Sequence, residues 1–80
     1  MAGVSYDDEA DVLYVEIAEG EVAHTVAYGD LRLVDEAPDG SVLGVEFISA
    51  SQGIDLSGVP LRSEIEEALG KSDLPIKLVA

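Results

Sequence analysis

Eighty residues hold one domain and no second core, and a chain this short buries only about 60 to 65% of the surface it exposes when unfolded, so self-association is a cheap way to add stability. Seventeen Asp and Glu against four Lys and Arg give a formal charge of −13, which repels phosphate backbones and anionic headgroups. Nucleic acid and membrane surfaces are thereby excluded as expected partners. The absence of cysteine removes disulfides, thiolate nucleophiles and thiolate metal ligands, and a hydrophobic content of 48%, arranged periodically, excludes disorder.

The first residues carry neither a basic patch nor an apolar core of signal-peptide length, and no stretch reaches the roughly 18 apolar residues of a membrane span. The expectation is a soluble, cytoplasmic protein. Val4-Ser5-Tyr6 reads as a first strand, and Asp7 to Asp11 as a polar loop. Val12 to Ile17 then resumes the apolar pattern with Leu13, Val15 and Ile17 on one face. Ala18 to Glu21 is a turn in which Gly20 is free to take positive φ. Val22 to Tyr28 alternates Val22, His24, Val26 and Tyr28 against Ala23, Thr25 and Ala27, and Gly29-Asp30 interrupts it as a turn or a bulge.

Leu31 to Ile48 is the strongest pattern in the chain, two apolar runs joined by Pro38-Asp39-Gly40. Pro38 pre-sets the first corner, Asp39 suits the second, and Gly40 can take the left-handed conformation that closes the turn. Leu43, Val45 and Phe47 share one face, with Gly44 and Glu46 on the other, while Leu31 and Leu33 alternate with Arg32 on the incoming side. Ser49 to Gly53 leaves the sheet, and Ile54 and Leu56 are expected anchors. The period then becomes helical. Leu61, Ile65, Ala68 and Leu69 form an apolar stripe, Glu64, Glu66 and Glu67 face outward, Pro60 suits the first turn, and Gly70 suits the position past the end. Leu74 to Val79 is a final extended segment, which Pro75 confines to an edge.

The expected architecture is α+β, an antiparallel β-meander of four to five strands with one short C-terminal amphipathic helix packed on one face and a final edge strand. Residues 1–80 form a single domain, with 1–51 the meander and 52–80 the helix and terminal extension. Dimerisation is expected through the helix or the tail strand.

Candidate chemistry is sparse. Asp7, Glu9 and Asp11 alternate in the loop, the only weak candidates for a metal, yet no glycine follows Asp11 and no bidentate acid stands at the calcium-loop distance. A solvated loop with local Asp hydrogen bonds is the simpler reading. His24 is the sole histidine, and a general base needs an orienting acid and a nucleophile. No serine lies in a Gly-x-Ser-x-Gly elbow, and Gly53 to Gly58 lacks the lysine of a phosphate loop. Tyr6, Tyr14, Tyr28 and Phe47 are scattered and suit packing better than base stacking. Arg62, Lys71 and Lys77 sit in the last quarter, away from the acids of the first half, a separation that suits head-to-tail contacts or plain solvation. No catalytic residue and no cofactor is expected.

Tyr6-Asp7-Asp8-Glu9-Ala10-Asp11-Val12-Leu13-Tyr14-Val15, then Val22-Ala23-His24-Thr25, Val34-Asp35 and Gly44-Val45-Glu46-Phe47-Ile48 with Ala50-Ser51, resemble the small bacterial and archaeal family called domain of unknown function 2283. The likeness covers roughly Ser5 to Ser51, and Gly53 onward looks like an extension found in some members. Tyr28-Gly29-Asp30-Leu31 departs from an acidic strand-turn consensus common in the family. The resemblance implies a compact β-rich module with no established activity, cofactor or catalytic residues, and a gene neighbourhood of toxin-like proteins suggests an antitoxin-like role.

Three functions are then in competition. The first is a non-catalytic protein-binding module for a small basic partner. The second is a self-assembling structural homo-oligomer. The third is a divalent-metal or small-ligand enzyme using the Asp7 to Asp11 acids with His24.

Overall fold

The period-two apolar pattern resolves into a row of valines. In the computed structural model, which describes residues 3–74 and 76–80, the strands are β1 (Gly3–Asp7), β2 (Val12–Glu16), β3 (His24–Ala27), β4 (Arg32–Glu36) and β5 (Val42–Ile48). A 3-10 turn (Ala50–Gln52) and one helix, α1 (Arg62–Lys71), follow. All strand pairs are antiparallel, and the sheet order is β1-β2-β5-β4-β3. Val4, Val15, Val45, Val34 and Val26 stand in direct register across the whole sheet, one from each strand. β-branched side chains pack well on a pleated surface, and burying each contributes on the order of 1.5 to 3 kcal/mol. The central three of the row are fully buried.

The fold is therefore α+β with a β-meander, β3-β4-β5, against which the β1-β2 hairpin docks through β5. The chain leaves β2 with Ile17 and Ala18 both donating to the Leu43 carbonyl (2.8 and 3.1 Å), then runs to the far edge to begin β3. The β4-β5 turn is as its residues dictate. Gly40 has φ 88°, its N–H donates to the Ala37 carbonyl (2.9 Å), and Asp39 Oδ1 accepts from the Ser41 N–H (3.0 Å) and hydroxyl (2.7 Å).

The second layer lies on the valine face. Ile65 and Ala68 of α1, with Ala50, Ile54, Leu56 and Val59 of the connection, join Leu13 and Phe47 in one buried cluster. A ten-residue helix is marginal alone, and its exposed Arg62–Glu66 (3.1 Å) and Lys71–Glu67 (2.9 Å) pairs add little, so the packed Ile65 and Ala68 hold it. Arg62 and Lys71 thus spend their charge within their own helix.

Several expectations are corrected by this packing. On the incoming strand Arg32 and Val34 occupy the covered face, opposite Phe47 and Val45, while Leu33 lies on the other face and Leu31 is half exposed. The guanidinium of Arg32 makes this possible by reaching the backbone carbonyls of Tyr28, Asp55 and Ser57. Gly20 does not take positive φ, and its lack of a side chain instead leaves room for Leu43. Leu61 is not on the apolar stripe, because its left-handed backbone (φ 58°) turns it off the helix and into solvent. Gly70 falls within α1, whose cap is the extended Ser72. The tail is not an edge strand of the sheet. Ile54 and Leu78 form a parallel bridge, with Ile54 N donating to Lys77 O (2.7 Å), Val79 N to Ile54 O (2.8 Å) and Leu56 N to Ala80 O (3.1 Å). The role assigned to Pro75 lies outside the described residues.

Candidate functional site

The acidic loop is held by its own hydrogen bonds. Asp7 Oδ1 accepts the N–H groups of Glu9 (3.1 Å) and Ala10 (3.2 Å), as Asp does in turns, and Glu9 is exposed. Asp11 sits in the left-handed region (φ 56°), which Asp tolerates. Its carboxylate accepts the Tyr6 hydroxyl (2.7 Å) and the Ser51 N–H (2.9 Å) on Oδ1, and the Ser51 hydroxyl (2.6 Å) on Oδ2. The Ala50 N–H donates to the Asp11 carbonyl (3.0 Å). Donation by Ser51 first, and Tyr6 second, holds the Asp11 carboxyl below its usual range, and the same bond raises the Tyr6 phenol. Asp11 is a clasp between the first hairpin and the 3-10 turn that follows β5. Among the described residues, no three His, Asp or Glu gather as a metal-holding group.

His24 pairs instead with Glu36 across the β3-β4 ladder, Nε2 to Oε1 at 2.7 Å, in an exposed position. It stands level with Val42, at one end of β5, while Asp11 adjoins Val12, level with Ile48 at the other end. Three interstrand steps of about 4.8 Å and roughly 20 Å along the strand separate them. The structure does not bring His24 together with Asp7, Glu9 and Asp11.

A different constellation lies on the face turned away from α1. Two rows run across it in register, Ser5-Tyr14-Glu46-Leu33-Ala27 and Gly3-Glu16-Gly44-Asp35-Thr25. Gly44 leaves space for the Tyr14 phenol, and a Cβ there would collide with the Tyr14 hydroxyl. That hydroxyl donates to Asp35 Oδ2 (3.1 Å), and the Thr25 hydroxyl donates to Asp35 Oδ1 (2.7 Å). The Tyr14 phenol is pushed up to about 12, by burial first, then by its bond to Asp35 and by the charges of Asp35, Glu16 and Glu46. All four cations of the chain lie elsewhere, Arg32 on the covered face, Arg62 and Lys71 on α1, and Lys77 in the tail. Among the described residues, the open face therefore carries carboxylates and no Lys or Arg. A glycine inside the strand pattern of Val42–Ile48 was the sequence signal for the close approach of Tyr14.

Arg32 marks a second feature, a cleft of about 380 Å³ lined by Asp30, Leu31, Arg32, Phe47, Ile48, Gly53 and Asp55. Its side chain is only 16% exposed. Nε donates to the Tyr28 carbonyl (3.0 Å), and Nη1 donates to the carbonyls of Asp55 (3.1 Å) and Ser57. The Asp55 carboxyl lies 3.6 Å away and is held below its usual range by Ser57 first, with Arg32 adding. The cation is consumed in tying the C-terminal segment to the sheet.

The clasp and the open-face network, unlike the bonds of Arg32 to Asp55 and Ser57, fall within the span of a known family. The family model described as "Protein of unknown function (DUF2283)" matches residues 4–51, which contain Tyr6, Asp11 and Ser51 of the clasp and Tyr14, Thr25, Asp35 and Gly44 of the open face. Neither the curated proteins nor the solved structures give a match.

Proposed function

The chain belongs to the DUF2283 family, and from that premise we propose that it is a non-catalytic binding module whose open sheet face docks a small basic protein. One observation carries the reading: Glu16, Asp35 and Glu46 share a face on which no Lys or Arg stands. Glu16, Asp35 and Glu46 all lie within the residues matched by the family, which assigns no activity to them. Charge of one sign on a flat surface attracts its opposite, speeds encounter and fixes orientation more than it adds raw affinity. The Tyr14-Asp35-Thr25 chain holds the central carboxylate still, which lowers the ordering cost of contact. An antitoxin-like role is the form such binding takes if the partner is toxic when free.

The test is affinity capture at low and at physiological salt, with the wild-type chain beside Glu16→Lys/Glu46→Lys and, as control, Glu64→Lys on α1. A basic protein retained by the wild type and the control, released as salt rises and lost by the double variant is the expected result. Equal capture by all three chains removes the open face from consideration, and no salt-sensitive basic partner at all contradicts the reading.

A further inference from the structure

Strand β3 ends the sheet, and among the described residues its outer backbone has no strand partner. Ladder alternation fixes which groups those are. Tyr28 N donates to Arg32 O (2.9 Å), and Ile48 N donates to Leu31 O (2.8 Å), so odd residues of β4 bond to β5 and even ones to β3. The N–H and C=O of Thr25 and Ala27 therefore point away from the sheet. The opposite edge differs, since α1 packs against β1. Natural sheets blunt an open edge with Lys, Pro or charge, and His24-Thr25-Val26-Ala27 contains no Lys, no Pro and no carboxylate. Each of the other four strands carries at least one acid. At this bare edge the valine row ends on Val26, which is 37% exposed.

We infer that β3 pairs with β3 of a second copy of this chain, antiparallel about a two-fold axis, joining two five-stranded sheets into one of ten. The outward groups set the register. Thr25 exchanges both backbone hydrogen bonds with Ala27 of the second copy, and Ala27 with its Thr25. Val26 then faces Val26 of the second copy as a non-hydrogen-bonded pair, with Cα atoms about 4.5 Å apart. The valine row thus runs unbroken through both copies. Charge selects a copy over a basic ligand here. Two chains of −13 meet with least repulsion at the one strand free of acids, where a basic protein has least to gain. The edge is short, its buried area falls below the roughly 1,200 Å² of standard interfaces, and the dimer is concentration-dependent. With the axis normal to the sheet, both open faces lie on one side, although the pairing stands independently of what binds them.

Light scattering on the full chain, from micromolar to millimolar protein, tests the pairing. The mass is expected to rise from 8.4 kDa toward twice that, and to rise further at high salt, because salt screens the repulsion between copies. A basic-partner complex moves the opposite way with salt, so the two readings fail separately. Ala27→Pro removes an outward N–H without touching the β3-β4 ladder, and is expected to weaken dimerisation about tenfold or more with unchanged circular dichroism. Val26→Cys, the sole thiol in the variant, is expected to give a disulfide dimer on mild oxidation, whereas Ser5→Cys on β1 is not. A monomer at every concentration and salt overturns the inference, as does a dimer that survives Ala27→Pro or that leaves Val26→Cys uncrosslinked. If Ala27→Pro does not fold, the Val26→Cys result decides alone.

Discussion

The two faces of this sheet are built from alternate residues of the same strands, yet they do different work. On the covered face Val15, Val34, Val45, Leu13 and Phe47 are closed over by α1 and the Ile54–Leu56 connection, and nearly every neighbour is apolar. On the open face Tyr14, Asp35 and Thr25 make a hydrogen-bonded chain among Glu16 and Glu46. One residue step along a strand separates a group packed in the core from one on a surface rich in carboxylates. On the proposed reading, stability and binding change independently in this molecule, and substitutions on each face test that separation.

The largest effect belongs to the covered face. Phe47→Ala empties the centre of the cluster and is expected to cost about 3 to 5 kcal/mol, enough to leave a domain of this size near its unfolding midpoint in a denaturant titration. Gly44→Ala comes next. Its methyl displaces the Tyr14 hydroxyl, with an expected loss of about 1 to 3 kcal/mol and a Tyr14 titration that falls back toward 10. Tyr14→Phe keeps the ring and removes only the bond to Asp35, for about 1 kcal/mol by urea denaturation.

The same phenol gives a pH signature. Its folded pKa is raised, so its contribution is full below about 10 and is lost as pH climbs toward about 12. Tyr14→Phe should flatten that alkaline limb in thermal melts. At the acid end the sign reverses. The lowered Asp11 carboxyl contributes above its unfolded value of 3.8 and loses that contribution as pH falls through its folded value, so Ser51→Ala is expected to soften the acid limb. The smallest stability effect is at Glu46→Gln, within about 0.5 kcal/mol of wild type, although the same change weakens the proposed partner.

Local pattern was enough to place the covered face at β5, where Leu43, Val45 and Phe47 alternate, and to locate the helix and the Ile54 and Leu56 anchors. It failed where distant residues decide. Arg32 occupies the core side because carbonyls 23 and 25 positions away receive its guanidinium, and no window around Leu31-Arg32-Leu33 contains them. Tyr14 and Asp35 are 21 residues apart, and Asp11 and Ser51 are 40 apart, so neither network is visible until the strands pair. The tail gave an extended pattern without a partner, and its parallel pairing with Ile54 follows from where α1 delivers the chain. Asp7, Glu9 and Asp11 alternate within one loop, a pattern visible in a local window, whereas the meaning of Gly44 depends on Tyr14 of the neighbouring strand.

The most direct test of the separation between faces is amide NMR of the labelled protein as the captured basic partner is added. Perturbations concentrated on Tyr14, Glu16, Leu33, Asp35 and Glu46, with α1 amides unmoved, are the predicted result. Perturbations centred on α1, with the open face silent, would contradict the account.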